Sequence, residues 1–282
     1  MKYNNKFGLS NPVYKALVGS SYDEHENVMS MTTLLDPERI RILRKKHANE
    51  LIKDASDMAD VTMGNAWHEK VQKEIQKPWL VEERFFGEFL GRRISGKIDA
   101  YDPVTKTLYD YKVPSVYEFK KGKIPEKFEQ QLNGYKYLME LNGIEVSRLV
   151  LSVYFRHWSE ARIEQEEGDP PRKIMEMPVP VWDTEKTKEF LQTRVRKHVA
   201  AEEAPPVCSP DERWAKNEQW AVMKKGRKSA LKLYDHNANA VNHAAQDKDF
   251  YVEHREEEIG MRCEKYCPVS KFCDWYQGKI KK

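Results

Sequence analysis

The stretch ISGKIDAYDPVTKTLYDYKVPS, residues 94–115, contains the pattern that decides the fold. Two runs of apolar and β-branched residues flank DPVTK, a segment with turn-forming chemistry, so the stretch predicts a β-hairpin. In a hairpin whose turn is centred within DPVTK, Asp99 lies opposite Asp110. Because side chains alternate along a strand, Lys112 shares the face of Asp110. The pattern therefore predicts two carboxylates and one ammonium group on a single small area.

This arrangement of charges has two interpretations. Charged residues usually lie in water, so a solvated hairpin with a surface ion pair is the simpler one. Two carboxylates held close together repel, however, and one of them takes up a proton unless a cation lies between them. Mg²⁺, a hard ion that prefers oxygen ligands, would relieve the repulsion, and Lys112 could then hold a phosphate or orient the attacking water. This second interpretation predicts metal-assisted hydrolysis of a phosphodiester.

Three further polar residues are candidates for the same site. His68 lies on a predicted helix, GNAWHEKVQ, and a histidine can complete a divalent-metal site or transfer a proton. Gln131 and Tyr135 are four residues apart, so they share one face of the predicted helix PEKFEQQLNGYKYLMELNG. Both can donate hydrogen bonds to a phosphate backbone. A structural histidine and an ordinary amphipathic helix are the alternatives.

The composition excludes several classes of protein. The chain has 282 residues, of which 40% are hydrophobic and 33% charged, and its formal net charge is +3. This net charge by itself neither predicts nor excludes a nucleic-acid partner. The N-terminal segment MKYNNKFGLSNP lacks the apolar region of a secretory signal, and runs such as LVLSVYF are too short to span a bilayer. We expect a cytoplasmic protein without a membrane partner.

The order of predicted elements indicates the domain organisation. Helices, a β-meander, a further helix and a strong strand follow one another, which predicts an α/β core. The segment APPVCSP interrupts the pattern and marks a boundary. We therefore predict a core over residues 1–204 and a small basic β-α-β module over residues 205–282.

All four cysteines lie in the last third of the chain, at Cys208, Cys263, Cys267 and Cys273. Disulfides are rare in the cytosol, where clustered cysteines more often bind metal. Structural zinc and iron–sulfur clusters both take four thiolates, so the residues leave these two choices open. Four unrelated buried thiols are the third alternative.

Two lysine-rich segments are candidate contacts for backbone phosphates, whose negative charge basic side chains neutralise. The segment EFKKGK contributes Lys120, Lys121 and Lys123. The segment MKKGRKSALK contributes Lys224, Lys225, Arg227, Lys228 and Lys232. A solvated basic hairpin explains either segment equally well.

Taken in order, the polar motifs form a recognisable series: a helical His in GNAWH, Asp in SGKIDA, Asp-x-Lys in YDYK and Gln-x-x-x-Tyr in QLNGY. Over about residues 60–155 this series resembles the PD-(D/E)xK nuclease superfamily, in its RecB-like exonuclease branch. The resemblance implies a restriction-endonuclease-like core, in which helices flank a mixed central sheet. It also implies a role for each motif: metal ligands at His68, Asp99 and Asp110, a catalytic lysine at Lys112, and DNA contacts at Gln131 and Tyr135. Asp110 replaces the glutamate of many members, and the pattern of the superfamily permits either.

The same resemblance bears on the cysteines. CRISPR-associated and AddB-type members of the branch bind a [4Fe–4S] cluster through one cysteine before the nuclease motifs and three after them, spaced C-x₂-C-x₅-C or nearly so. Here the spacing from Cys263 to Cys267 is one residue longer, and Cys208 follows the motifs. The resemblance favours an iron–sulfur cluster over structural Zn²⁺.

The sequence thus predicts a Mg²⁺- or Mn²⁺-dependent DNA exonuclease of recombination, repair or phage DNA processing. The arrangement is also similar to compact phage-encoded nucleases. No helicase motif and no Gly-rich P-loop is present, so we expect no ATP motor in this chain. We expect it to act on DNA in the cytoplasm of a bacterial or phage-infected cell, either alone or beside a recombinase or single-strand-binding protein. A structure-selective endonuclease and a non-catalytic DNA-binding protein that keeps the nuclease fold are the alternatives.

Overall fold

The computed structural model describes residues 2–19, 28–119, 122–163 and 168–281. The chain forms two compact units, the first of Met1–Asp36 and Ile52–Glu203, and the second of Pro37–Leu51 and Ala204–Lys282. The predicted boundary near residue 204 coincides with the start of the longer part of the second unit. The structure differs from the prediction in Pro37–Leu51, which groups with the C-terminal residues.

The described part of the chain contains thirteen strands and ten α-helices. The strands are β1 (Lys2–Asn4), β2 (Val28–Ser30), β3 (Ile52–Asp54), β4 (Leu80–Val81), β5 (Arg84–Phe89), β6 (Arg92–Lys97), β7 (Ala100–Asp102), β8 (Thr107–Lys112), β9 (Arg148–Tyr154), β10 (Ile174–Val179), β11 (Gln219–Lys224), β12 (Lys232–Tyr234) and β13 (Phe250–Arg255). The helices are α1 (Asn11–Val18), α2 (Met31–Leu35), α3 (Glu38–Lys46), α4 (Ala59–Gln72), α5 (Glu126–Leu141), α6 (Glu160–Ile163), α7 (Thr184–Ala200), α8 (Pro210–Arg213), α9 (Asn237–Ala244) and α10 (Asp274–Ile280).

The centre of the first unit is a mixed five-stranded sheet in the order β10-β9-β8-β7-β4. β8 and β9 pair in parallel, and the other neighbours pair antiparallel. β9, with the sequence RLVLSVY, lies between two partners and is mostly buried, as a nearly continuous apolar strand of this kind should be. A second sheet, β2-β6-β5, and helix α5 complete the core. The predicted α/β class, with a mixed sheet flanked by helices, is confirmed.

The close approach of α5 to β6 depends on a glycine. A Cβ atom at Gly96 would lie only 2.6 Å from Cδ1 of Tyr135, closer than side chains tolerate. Gly134 has a different role, because a Cβ there would lie 2.5 Å from the sulfur of Met31 on α2. Gly96 therefore allows the helix that carries Gln131 and Tyr135 to approach β6, and Gly134 allows the same helix to approach α2.

The second unit contains a small antiparallel sheet, β12-β11-β13, against which α9 packs. Its apolar core joins Ile40 and Leu43 of α3 to Val269 and Cys273 near the C-terminus. This shared core is the physical reason why Pro37–Leu51 belongs with the cysteine-bearing residues. None of the helices in the described ranges is both long and apolar enough to cross a membrane.

Candidate active site

The predicted hairpin is confirmed in its register. β7 pairs with β8 so that Ala100 opposes Tyr109, and continuing this register by one residue places Asp99 opposite Asp110. Oδ2 of Asp99 accepts a hydrogen bond of 2.7 Å from the backbone N–H of Tyr111, which holds that carboxylate against β8. The local alternation of the sequence therefore sets this part of the site.

Asp110 lies on the central strand β8, and its side chain is only 2% exposed. Nζ of Lys112 lies 2.6 Å from Oδ2 of Asp110, which makes an ion pair. Among the described residues, however, no donor meets the directional requirement of a hydrogen bond to either carboxylate oxygen. A buried carboxylate in this condition is costly, and native proteins seldom keep one without a reason. The solvated-hairpin interpretation is wrong for Asp110.

The electrostatics of this pair follow from its burial. Burial raises the pKa of Asp110 to about 6, the nearby charge of Asp99 adds to the rise, and Lys112 opposes it. Burial lowers the pKa of Lys112, but the charges of Asp110 and Asp99 outweigh it, so the pKa lies above its ordinary value. Lys112 is therefore a permanent cation, while Asp110 ionises close to neutral pH.

His68, on α4, faces the same place. Its Nε2 lies 2.6 Å from the carbonyl oxygen of Tyr111, and since a carbonyl only accepts, Nε2 carries a proton. In the neutral ring the lone pair then sits on Nδ1, which lies 3.6 Å from Oδ1 of Asp99. A carbonyl that fixes the tautomer in this way is the usual support of a metal-binding histidine.

The structure adds a carboxylate that the motifs do not contain. Ligand atoms of His68, Glu82 and Asp99 all lie within 4.8 Å of one another, and within the described ranges no other trio of potential metal ligands meets that limit. Asp110 is thus outside the tightest trio, although its charge interacts with Asp99 and His68. No sequence signal identifies Glu82, which is one of two adjacent glutamates and faces Asp99 only through the pairing of β4 with β7.

Gln131 and Tyr135 lie together on α5, as predicted. Nε2 of Gln131 donates a 2.7 Å hydrogen bond to the hydroxyl of Tyr135. Burial first, and the charge of Asp110 second, raise the pKa of Tyr135 to about 12, so the phenol stays neutral. The tyrosine is only 6% exposed, and it neighbours the Asp110–Lys112 pair. Its contact with DNA remains a prediction.

The predicted phosphate contacts are exposed where the structure describes them. Lys123 lies on the surface of the first unit, and Lys225, Arg227 and Lys228 on the surface of the second. Lys225 is 3.8 Å from Asp249, and Arg227 donates to Ser229. Lys120 and Lys121 lie outside the described residues.

The four cysteines of the second unit line one cavity. All four are free thiols; Cys273 is buried and the others are half-buried. Burial raises the pKa of Cys208 to about 12 and raises the pKa values of Cys263 and Cys267. A cation is therefore needed to hold these sulfurs as thiolates.

Two buried arginines fix the segments that carry the cysteines. Nε of Arg39 lies 3.3 Å from the sulfur of Cys273, and its Nη1 donates to the carbonyl of Pro205 at 2.7 Å. Arg213 donates to three backbone carbonyls, those of Cys208, Glu258 and Ile259. Together they join the chain around Cys208 to the chain before Cys263 and at Cys273.

The sulfurs of the cysteines are spaced more widely than the ligands of a bound zinc ion would be. Tetrahedral zinc with Zn–S bonds of about 2.3 Å places its sulfurs about 3.8 Å apart. Among the described residues, no three cysteine sulfurs lie within 4.8 Å of one another. The four thiols are a suitable donor set for either metal group, and the choice of an iron–sulfur cluster over Zn²⁺ stays a prediction.

Comparisons with known proteins give similarity at the level of whole structures only. No protein-family model matches the chain, and no curated protein matches it. The crystal structure of SSO0001 is 16% identical with a TM-score of 0.49, and the alignment covers 68% of this chain and 86% of that one. A candidate exonuclease from Eubacterium rectale is 12% identical with a TM-score of 0.35, over 70% of this chain and 84% of that one. A phage-related exonuclease from Haemophilus somnus 129PT is 15% identical with a TM-score of 0.29, over 68% and 81%.

Proposed function

We propose that this protein is a divalent-metal-dependent exodeoxyribonuclease that acts in DNA recombination, repair or phage DNA processing. One observation carries the proposal: the Asp110 carboxylate is buried beside Lys112 and opposite Asp99, with no directed hydrogen-bond donor for either oxygen among the described residues. Buried ionisable groups with shifted pKa values and a specific charge partner are concentrated at functional sites.

The residues of the site fit Mg²⁺ or Mn²⁺. His68, Asp99 and Asp110 would hold the ion, since carboxylate oxygens and an imidazole nitrogen are suitable ligands for it. When bound, the ion activates water and stabilises negative charge on phosphate oxygens. The buried Oδ1 of Asp110 supports this fit, because it has no partner among the described residues and a cation would supply one.

The remaining residues have roles of their own. Lys112 stays protonated because of Asp110 and Asp99, so its ammonium is available to hold the scissile phosphate. Tyr135, neutral and bonded to Gln131, offers a second donor beside the same pair. The motif series over residues 60–155, which resembles RecB-like nucleases, supports DNA as the substrate.

Substitution of Lys112 tests this function. We expect Lys112→Ala and Asp110→Ala to lose cleavage of linear DNA by at least about a hundredfold while largely keeping DNA binding, because each removes a group that acts on the reacting phosphate. The matched control is Lys70→Ala, an exposed lysine on α4. Parent-like cleavage by Asp110→Ala would refute the assignment.

The same assay separates the alternatives. Digestion of linear DNA with no cleavage of closed circles identifies an exonuclease, whereas cleaved circles identify a structure-selective endonuclease. DNA binding without turnover in any metal identifies a non-catalytic DNA-binding protein.

For the second unit, the proposal is a [4Fe–4S] cluster held by Cys208, Cys263, Cys267 and Cys273, with structural Zn²⁺ as the alternative. The shared cavity supports a common metal site, and the resemblance of the motif series to RecB-like nucleases favours the cluster. Anaerobic purification followed by visible spectroscopy and metal analysis distinguishes the two. A brown protein with iron identifies the cluster, and a colourless protein with zinc identifies the single ion.

A further inference from the structure

Glu82 lies at the candidate cation site, where its carboxylate is close to His68 and Asp99. It follows β4, and continuing the pairing of Leu80 with Tyr101 and of Val81 with Ala100 places it opposite Asp99. The backbone N–H of Glu82 donates to the carbonyl of Asp99 at 3.3 Å. The backbone thus fixes Glu82 directly beside Asp99.

The conformation of Glu82 is unusual for a residue with a side chain. Its φ of 56° lies in the left-handed region, which costs a non-glycine residue free energy. Strained backbone is concentrated at functional sites, where the surrounding structure maintains it. Here the strain directs a glutamate, and not a glycine, towards the ligand atoms of His68 and Asp99.

The charges around Glu82 favour an added cation. Its carboxylate accepts a 2.7 Å hydrogen bond from Gln72 and forms an ion pair with Lys97. The Lys97 side chain is 42% exposed, so it can move into solvent when another cation takes its place. The three carboxylates of the centre outnumber its two lysines.

Asp110 supplies an independent indication of a ligand. It is more than nine-tenths buried, has no directed hydrogen-bond donor among the described residues, and interacts electrostatically with both Asp99 and His68. A group of this kind beside the trio indicates that the centre is built for a cation and is not a chance cluster of surface acids.

We infer that Glu82 is a ligand of the divalent cation at this centre, which it binds together with His68 and Asp99 in exchange for Lys97. The inference rests on the proposed function, since the same centre must bind a divalent ion. It adds a carboxylate from outside the motif series, contributed by the turn between β4 and β5.

Mn²⁺ binding to the intact protein without DNA, measured by calorimetry and by the electron paramagnetic resonance of free Mn²⁺, tests this assignment. Glu82→Gln keeps the shape of the side chain and its acceptor for Gln72, and it should weaken Mn²⁺ binding about tenfold or more. Glu83→Gln is the matched control, because the side chain of Glu83 is exposed and does not belong to the trio of His68, Glu82 and Asp99. Lys97→Gln should bind Mn²⁺ more tightly than the parent.

The outcomes distinguish this inference from the proposed function. If Asp110→Asn loses Mn²⁺ while Glu82→Gln binds it as tightly as the parent, Glu82 is not a ligand and the proposed function stands. If the parent itself does not bind Mn²⁺, both are wrong. If Glu82→Gln does not fold, the Lys97→Gln variant tests the inference instead. If that variant binds Mn²⁺ no more tightly than the parent, the cation does not replace Lys97 at Glu82 and the inference is wrong.

Discussion

The buried carboxylate of Asp110 makes a contribution to stability that we expect to be lost as the pH rises from about 4 to about 6. Burial raises the pKa of Asp110 from 3.8 to about 6. In this pH range the carboxyl of Asp110 has lost its proton in the unfolded chain but still holds it in the native state. The contribution of Asp110 to the free energy of unfolding therefore falls as the pH rises. Each pKa unit corresponds to about 1.4 kcal/mol, so the loss from Asp110 is about 3 kcal/mol.

Comparison with Asp110→Asn isolates this contribution. The amide cannot ionise, and the carboxylates remote from residue 110 titrate alike in both proteins. In the parent, Lys112 remains charged throughout this range because its pKa is raised, so its titration does not contribute to the pH dependence. Urea unfolding in the presence of a chelator, repeated at several pH values, gives the difference between parent and variant. Between pH 4 and pH 7, the free energy of unfolding of the parent should fall by about 3 kcal/mol relative to that of the variant.

Added Mg²⁺ should reverse this loss in the parent only. The cation binds the ionised carboxylate, so stabilisation should grow with pH and reach about 3 kcal/mol at a concentration of about a hundred times the dissociation constant. Asp110→Asn should gain much less. If the difference in free energy of unfolding between parent and variant does not change with pH, the claim that burial raises the pKa of Asp110 is wrong.

Three other substitutions test the packing and the cysteine site. Gly96→Ala should destabilise the protein by about 1–3 kcal/mol in thermal unfolding, because its Cβ would collide with the Tyr135 ring. Gly64→Ala is the control, and it should be neutral or stabilising because there is open space around that residue. Arg213→Met should lower the free energy of unfolding by about 3 kcal/mol and make the second unit more sensitive to proteolysis, because three backbone carbonyls lose their buried donor. Lys216→Met is the control, and it should change little because Lys216 is exposed. Cys263→Ser should lower the bound iron or zinc at least about tenfold in metal analysis, and full retention of metal would remove Cys263 from the ligand set.

Local periodicity explains why part of the site could be read from the sequence. The alternation in TLYDYK places Asp110 and Lys112 on one face, and the short turn places Asp99 opposite Asp110; both relations hold in the register of β7 and β8. The four-residue spacing of Gln131 and Tyr135 likewise predicts their hydrogen bond on α5. Each of these relations spans only a few residues, so backbone geometry fixes it.

The burial of Asp110 could not be read in the same way. It arises because β9 pairs in parallel with β8 after an intervening helix, which encloses the hairpin on a side that its own sequence leaves open. The polar pattern of the hairpin is equally compatible with a solvated ion pair. Burial is what converts that pair into an acid with a raised pKa and a demand for a cation.

The sequence alone determined the hairpin, the order of the polar motifs and the clustering of Cys263, Cys267 and Cys273, because these depend on spacing along the chain. Only the tertiary structure brought Glu82 opposite Asp99 and placed Pro37–Leu51 with the cysteine unit. Both relations join residues that are distant in sequence, and they result from strand pairing and from the burial of apolar side chains such as Ile40. Long-range packing is a property of the whole fold, and no local pattern specifies it.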